Sequence, residues 1–160
     1  MKLFRNMLLK DTIEIATTPE KIWEFFTHLE QNYKAWHPED HVLFKWTKGQ
    51  PMESKSHWYA EEVVHGKVFK LRGTIGEVIP NRKIVFNYSL PISLVAPKFE
   101  WLIEPKGSTT VFTAISYLRA GEFFYKIARK EMERKIPMHN KHVRTEGENL
   151  KKILEANIDK

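Results

Sequence analysis

The sequence predicts an α+β fold: a curved antiparallel β-sheet wrapped around a long C-terminal α-helix. Two observations carry that prediction. Six strand-like segments fill residues 42 to 118, separated by turn signals. A helical pattern over residues 121 to 158 follows, with an apolar stripe able to cover one face of the sheet.

The elements follow in chain order. "DTIEIATT", from Asp11, alternates apolar and polar residues as a strand does. "TPEKIWEFFTHLEQNYKAW" then predicts a single helix. Thr18 can cap it, Pro19 suits its first position and Glu20 complements its dipole. Ile22, Phe26, Leu29, Tyr33 and Trp36 fall on one helical stripe. The helix is expected to end near His37-Pro38, because a residue before proline avoids helical backbone. The strands are "VLFKWTKG", "SHWYAEEVV", "KVFKLRGTIGEVI", "KIVFNYSL", "KFEWLIEP" and "STTVFTAISYL". Pro137 interrupts the last helical region and is expected to kink it or divide it in two.

Composition narrows the function classes. A chain of 160 residues with 42% hydrophobic content suits one domain over 1–160 with a single core. No apolar run approaches the roughly 20 residues that span a bilayer, and the first residues lack a signal-peptide pattern. A cytoplasmic, membrane-free protein is expected. The net charge of +6 concentrates in "YKIARKEMERKIPMHNKHVR", where Glu131 and Glu133 interrupt the basic residues. That pattern is a solvated helix face, and no nucleic-acid motif accompanies it. There is no cysteine, so a metal site would have to use His, Asp or Glu.

Polar residues then turn up on faces that should be apolar. On the C-terminal helix His139, His142, Val143, Glu146, Leu150, Ile153 and Leu154 share one side. His142 and Glu146, an i,i+4 pair, therefore point together toward the core. In the hairpin turning at His65-Gly66, Glu62 opposes Phe69 and Glu61 opposes Lys70. Glu62 then shares the apolar face with Trp58, Ala60 and Leu71, whereas a bulge at the turn would put Glu61 there instead. A buried carboxylate needs a cation or donors. The segment "YKAWHPEDH" leaves the first helix beside the sheet, so a histidine in it can face the same cavity. Two imidazoles and two carboxylates suit Zn²⁺, with Mn²⁺ or Fe²⁺ as alternatives.

The element order, from about Asp11 to Ile158, resembles the START-like helix-grip superfamily. The pieces that carry the likeness are "TIEIATTPEKIWEFF", "GEVIPNRKIVFNYS", "FEWLIEPKGSTTVFT" and "HVRTEGENLKKILE". Within it, "YxxWHPxDH", a strand glutamate and a helical H-x-x-x-E resemble the zinc-dependent 2,4-diacetylphloroglucinol hydrolase family. That resemblance implies cleavage of a carbon–carbon bond between an acyl group and a phenolic ring, by water attack and release of the ring carbon (a retro-Claisen step). It implies zinc on His41, Glu62, His142 and Glu146, Tyr33 as a catalytic hydrogen-bond donor, and His37 as a supporting or structural residue. Phe44 departs from the family, which carries a polar residue at the comparable place, and the chain is shorter than those hydrolases.

Two other functions fit the same sequence. One is a non-catalytic carrier or sensor of an apolar small molecule, with Trp23, Trp36, Trp46, Trp58, Phe99, Trp101 and Phe112 offering aromatic lining. The other is a metal-free polyketide cyclase or aromatase. An aromatic core with incidental histidines is the bland alternative to all three.

Overall fold

A computed structural model describes residues 4–156. Seven strands form one antiparallel sheet: β1 (Phe4–Ile15), β2 (His41–Lys48), β3 (His57–Val64), β4 (Lys67–Ile79), β5 (Lys83–Tyr88), β6 (Lys98–Lys106) and β7 (Thr109–Gly121). Their spatial order is β1-β7-β6-β5-β4-β3-β2. Strands β2 to β7 thus form a meander, and β1 closes onto β7. Register shifts interrupt the β2–β3 and β4–β5 pairings, and such bulges bend and twist a sheet. The long helix α3 (Glu122–Glu155) packs chiefly against β1. This is the predicted arrangement of a curved sheet gripping a C-terminal helix.

The β3–β4 hairpin shows how local chemistry sets register. His65 and Gly66 have φ of 52° and 74°, the left-handed pair that a two-residue hairpin turn requires. Val64 then opposes Lys67, Glu62 opposes Phe69 and Glu61 opposes Lys70, with no bulge. Glu62 points to the cavity side with buried Trp58 and Ala60. Glu61 lies on the other face, where it accepts a 2.5 Å hydrogen bond from the Tyr59 hydroxyl.

Two boundaries differ from expectation. β1 begins at Phe4 rather than near Asp11, because residues 4–10 pair with residues 115–121 of β7. Backbone pairing needs no apolar alternation, and "FRNMLLK" has none. The helix expected over 19–36 is two helices, α1 (Pro19–Thr27) and α2 (Leu29–Trp36), broken at His28. The Asn32 side chain donates to the Phe25 carbonyl at 2.9 Å, and the His28 N–H donates to the Glu24 carbonyl. The Phe25 carbonyl freed by the break is therefore satisfied, and the stripe from Ile22 to Trp36 stays buried. Helix α3 runs through Pro137 without division. Its predicted last residues, 157 and 158, lie outside the described residues.

The core joins Ile15, Ile22, Phe26, Leu29, Trp36, Phe86, Ile103 and Leu150. On α3, Leu150 and Leu154 are buried as their stripe predicts, while Phe123 and Ile127 near its start are exposed. The helix therefore grips the sheet by its C-terminal half and leaves space beneath its middle. No helix among the described residues is long and apolar enough to cross a membrane.

Candidate functional site

That space is a cavity of about 570 Å³. Trp36, Phe44, Trp58, Phe86, Phe99 and Trp101 give it aromatic walls. Of the other predicted lining residues, Phe112 is buried in the core, and Trp23 and Trp46 pack beside it. The polar groups facing the cavity include Tyr33, Asp40, Glu62, Tyr88, His142 and Glu146.

The chain after α2 delivers the first histidines. The His37 carbonyl accepts from the N–H groups of Asp40 (3.2 Å) and His41 (2.8 Å), closing a tight turn over Pro38. The Val63 N–H then donates to the Asp40 carbonyl at 2.7 Å, fixing the turn to β3. His41 pairs with Glu62 and Leu43 with Glu61, so Val42 is the extra residue of a bulge. Phe44 and Trp46, opposite Ala60 and Trp58, face inward. Simple alternation would place Val42 inward and His41 outward. The bulge reverses this, so His41 is buried and Val42 exposed.

Helix α3 brings the remaining groups. The Trp36 indole N–H donates to the Glu146 carbonyl at 2.9 Å, and the Asn149 side chain donates to the Trp36 carbonyl at 2.9 Å. These two bonds lock α2 to α3 and set the depth of Glu146. Its Oε1 lies 2.8 Å from His41 Nε2 and 3.2 Å from His142 Nε2. The far nitrogens are also engaged: His41 Nδ1 with the Tyr33 carbonyl (2.9 Å), His142 Nδ1 with Asp40 Oδ2 (2.9 Å).

This pattern constrains the protons. A nitrogen facing a carbonyl must carry hydrogen, so His41 Nδ1 is the donor to Tyr33. A neutral His41 would then aim the Nε2 lone pair at a carboxylate oxygen. His142 faces carboxylates through both nitrogens. Each imidazole therefore needs a further cation on its Glu146 side, either a proton or a metal ion. Histidine metal ligands characteristically donate their other N–H to a carbonyl or carboxylate, which fixes the ring. The donor set thus fits a divalent ion on His41, His142 and Glu146.

Charge coupling follows the same geometry. Burial opposes the charged form of His142, but Glu146, Glu62 and Asp40 outweigh it and push its pKa up to about 10. Burial likewise works against the Glu146 carboxylate, yet bonds from His142 and His41 hold it well below the usual range. Glu62 is raised by burial and by the Glu146 charge, against the opposing influence of His41, the Tyr33 hydrogen bond and His142. Tyr33 is raised well above a free phenol by burial and by Glu62, to which its hydroxyl donates.

Of the four residues matched to the zinc ligands, the fold brings His41, His142 and Glu146 onto one point. Glu62 lies nearby, with its carboxylate held by Tyr33. His37, buried, joins the first three: one ligand atom from each of His37, His41, His142 and Glu146 lies within 4.8 Å of all the others. Asp40, which no sequence pattern singles out, is the partner that orients His142. Its only sequence signal is a carboxylate immediately before His41. His65 sits in the hairpin turn, and His139 bonds to the Ser116 hydroxyl at 3.0 Å.

Residues 8–155 match the protein family described as polyketide cyclase / dehydrase and lipid transport. The chain belongs to this family. No curated protein matches it by sequence. Solved structures similar to this family member include the di-domain ARO/CYC protein StfQ of the steffimycin biosynthetic pathway. That likeness has a TM-score of 0.72 and 14% identity, over 97% of this chain and 52% of StfQ. The chain thus spans about half of StfQ. Norcoclaurine synthase from Thalictrum flavum, solved with dopamine and hydroxybenzaldehyde, has a TM-score of 0.71 at 10% identity, over 96% of this chain and 89% of that one. The polyketide-cyclase-like protein Cgl2372 from Corynebacterium glutamicum has a TM-score of 0.66 at 16% identity, over 96% and 94%. At these identities the likeness is one of fold.

Proposed function

We propose that this protein is a metal-dependent hydrolase, with zinc as the ion, acting on an apolar acylated phenol or polyketide-like molecule. The observation that carries the reading is the convergence of two oriented imidazoles on one half-buried carboxylate oxygen at the wall of an aromatic cavity. An aromatic wall suits a ring-bearing ligand. The phenolic ligands named for norcoclaurine synthase support that class.

In this reading His41, His142 and Glu146 hold the ion. Its chemistry, when bound, is polarisation of an oxygen on the ligand or on water. The protein supplies the rest. The aromatic walls orient the ring and exclude water. The Tyr33 hydroxyl exchanges its bond to Glu62 for one to an oxygen that gains charge as the acyl carbon is attacked. Glu62, coupled to Tyr33, takes up or returns a proton. In the net reaction water adds hydroxyl to the acyl carbon and a proton to the ring carbon. The carbon–carbon bond breaks, leaving a carboxylic acid and an unsubstituted ring position.

A second reading, a metal-free cyclase, is favoured by one specific observation: protons on His41 and His142 would satisfy the same contacts to Glu146, Tyr33 and Asp40. Elemental analysis of protein purified without a histidine tag separates the two. About one zinc per chain, with hydrolysis of acylphloroglucinols that stops on chelation, is expected. Absence of any divalent ion after zinc addition and desalting would overturn the metal reading in favour of the cyclase or carrier.

A further inference from the structure

We infer that His37, rather than Glu62, is the fourth protein ligand of this centre, so that the ion is held by three imidazoles and one carboxylate. The inference rests on the metal reading above and assigns its ligand set. Four relationships support it.

First, His37 has the reach. Its ligand atom lies within 4.8 Å of those of His41, His142 and Glu146. Second, its ring is not held by a hydrogen bond. Its ring makes no hydrogen bond to a described residue, and its Nδ1 is fully buried. Asp40 Oδ2 lies 3.7 Å from that nitrogen, too far for a hydrogen bond, and already accepts from His142 at 2.9 Å. A buried imidazole nitrogen without a hydrogen bond is a cost that a bond to an ion would remove.

Third, the turn that holds His37 is the turn that holds His41. The 2.8 Å bond from the His41 N–H to the His37 carbonyl closes it, and the two rings lie 5.2 Å apart. Fourth, Glu62 is turned toward the cavity and Tyr33. It accepts from Tyr33 and faces the cavity, whereas His37 and His41 lie behind the cavity wall. A group that exchanges protons with a ligand must reach it; a ligand to the ion need not.

The assignment has a chemical consequence. A divalent ion held by one carboxylate keeps one net positive charge; two carboxylates would cancel it. The three-imidazole site is the stronger Lewis acid, and Glu62 stays free for proton transfer.

The test uses the full-length, untagged, zinc-loaded protein. X-ray absorption at the zinc edge counts imidazoles directly, and chelator competition gives zinc affinity for wild type, His37→Ala and Glu62→Gln. Three imidazoles are expected in wild type and in Glu62→Gln, with zinc affinity of Glu62→Gln within about threefold. His37→Ala is expected to lose more than about a hundredfold in affinity, beyond the range for an outer-sphere partner. Two imidazoles in wild type would overturn the assignment and leave the metal reading standing. A wild type that binds no zinc would end the metal reading itself, and this assignment with it. The wild-type count decides the question even where His37→Ala fails to fold.

Discussion

The imidazole of His41 lies flat on the phenol ring of Tyr33, centroids 3.9 Å apart and planes within 3°. The same tyrosine accepts the His41 Nδ1 proton through its backbone carbonyl and donates its hydroxyl to Glu62. One residue thus orients a candidate ligand and a candidate proton acceptor by separate atoms. Tyr33→Phe keeps the ring and the carbonyl and removes only the hydroxyl. Zinc content and fold should persist, while turnover of an acylphenol should fall by about 10² to 10³. Steady-state kinetics beside elemental analysis of the variant checks this.

The Asp40 carboxylate meets His142 Nδ1 at 2.9 Å and lies 3.7 Å from His37 Nδ1. Asp40→Asn should preserve the turn and weaken orientation of the ring. Zinc affinity is expected to drop about 10- to 100-fold, measured by chelator competition. An unchanged affinity would show that the Asp40–His142 contact does not serve metal binding.

The metal-free protein should lose stability toward alkaline pH. His142 has a folded pKa of about 10 against an ordinary value of 6.5. Because the folded value is the higher one, its contribution is complete below pH 6.5 and is lost as pH rises through 10. The melting temperature of chelator-treated protein should fall across that interval. Zinc binding should release this proton near neutral pH, detectable by calorimetry in buffers of different ionisation enthalpy. A flat melting profile would show that His142 is not held charged in the metal-free fold.

Ala114 on β7 lines the cavity and is not among the clustered candidate ligands. Ala114→Phe would occupy ligand volume and leave every candidate ligand residue unchanged. Zinc content should remain unchanged while affinity for an aromatic ligand falls at least about tenfold, as followed by quenching of tryptophan fluorescence. Loss of zinc in this variant would mean that the wall and the centre are not independent.

Local pattern determined much of this protein. The left-handed pair His65-Gly66 set the hairpin register, and with it the inward face of Glu62. The helical period placed His142 and Glu146 on the stripe that ends in buried Leu150 and Leu154. These are relations within one element, governed by backbone geometry that residue order encodes directly. Tertiary structure alone decided the rest. The bulge at Val42 turns His41 inward against its own alternation. The contact of Asp40 with His142 spans 102 residues, and the lock between Trp36 and α3 sets where Glu146 sits. Pairing with β7, not side-chain pattern, starts β1 at Phe4. Periodicity says which face of its own element a side chain occupies. How far apart the faces of separate elements lie, and so whether His37 or Glu62 is nearer a common point, depends on packing that no single segment contains.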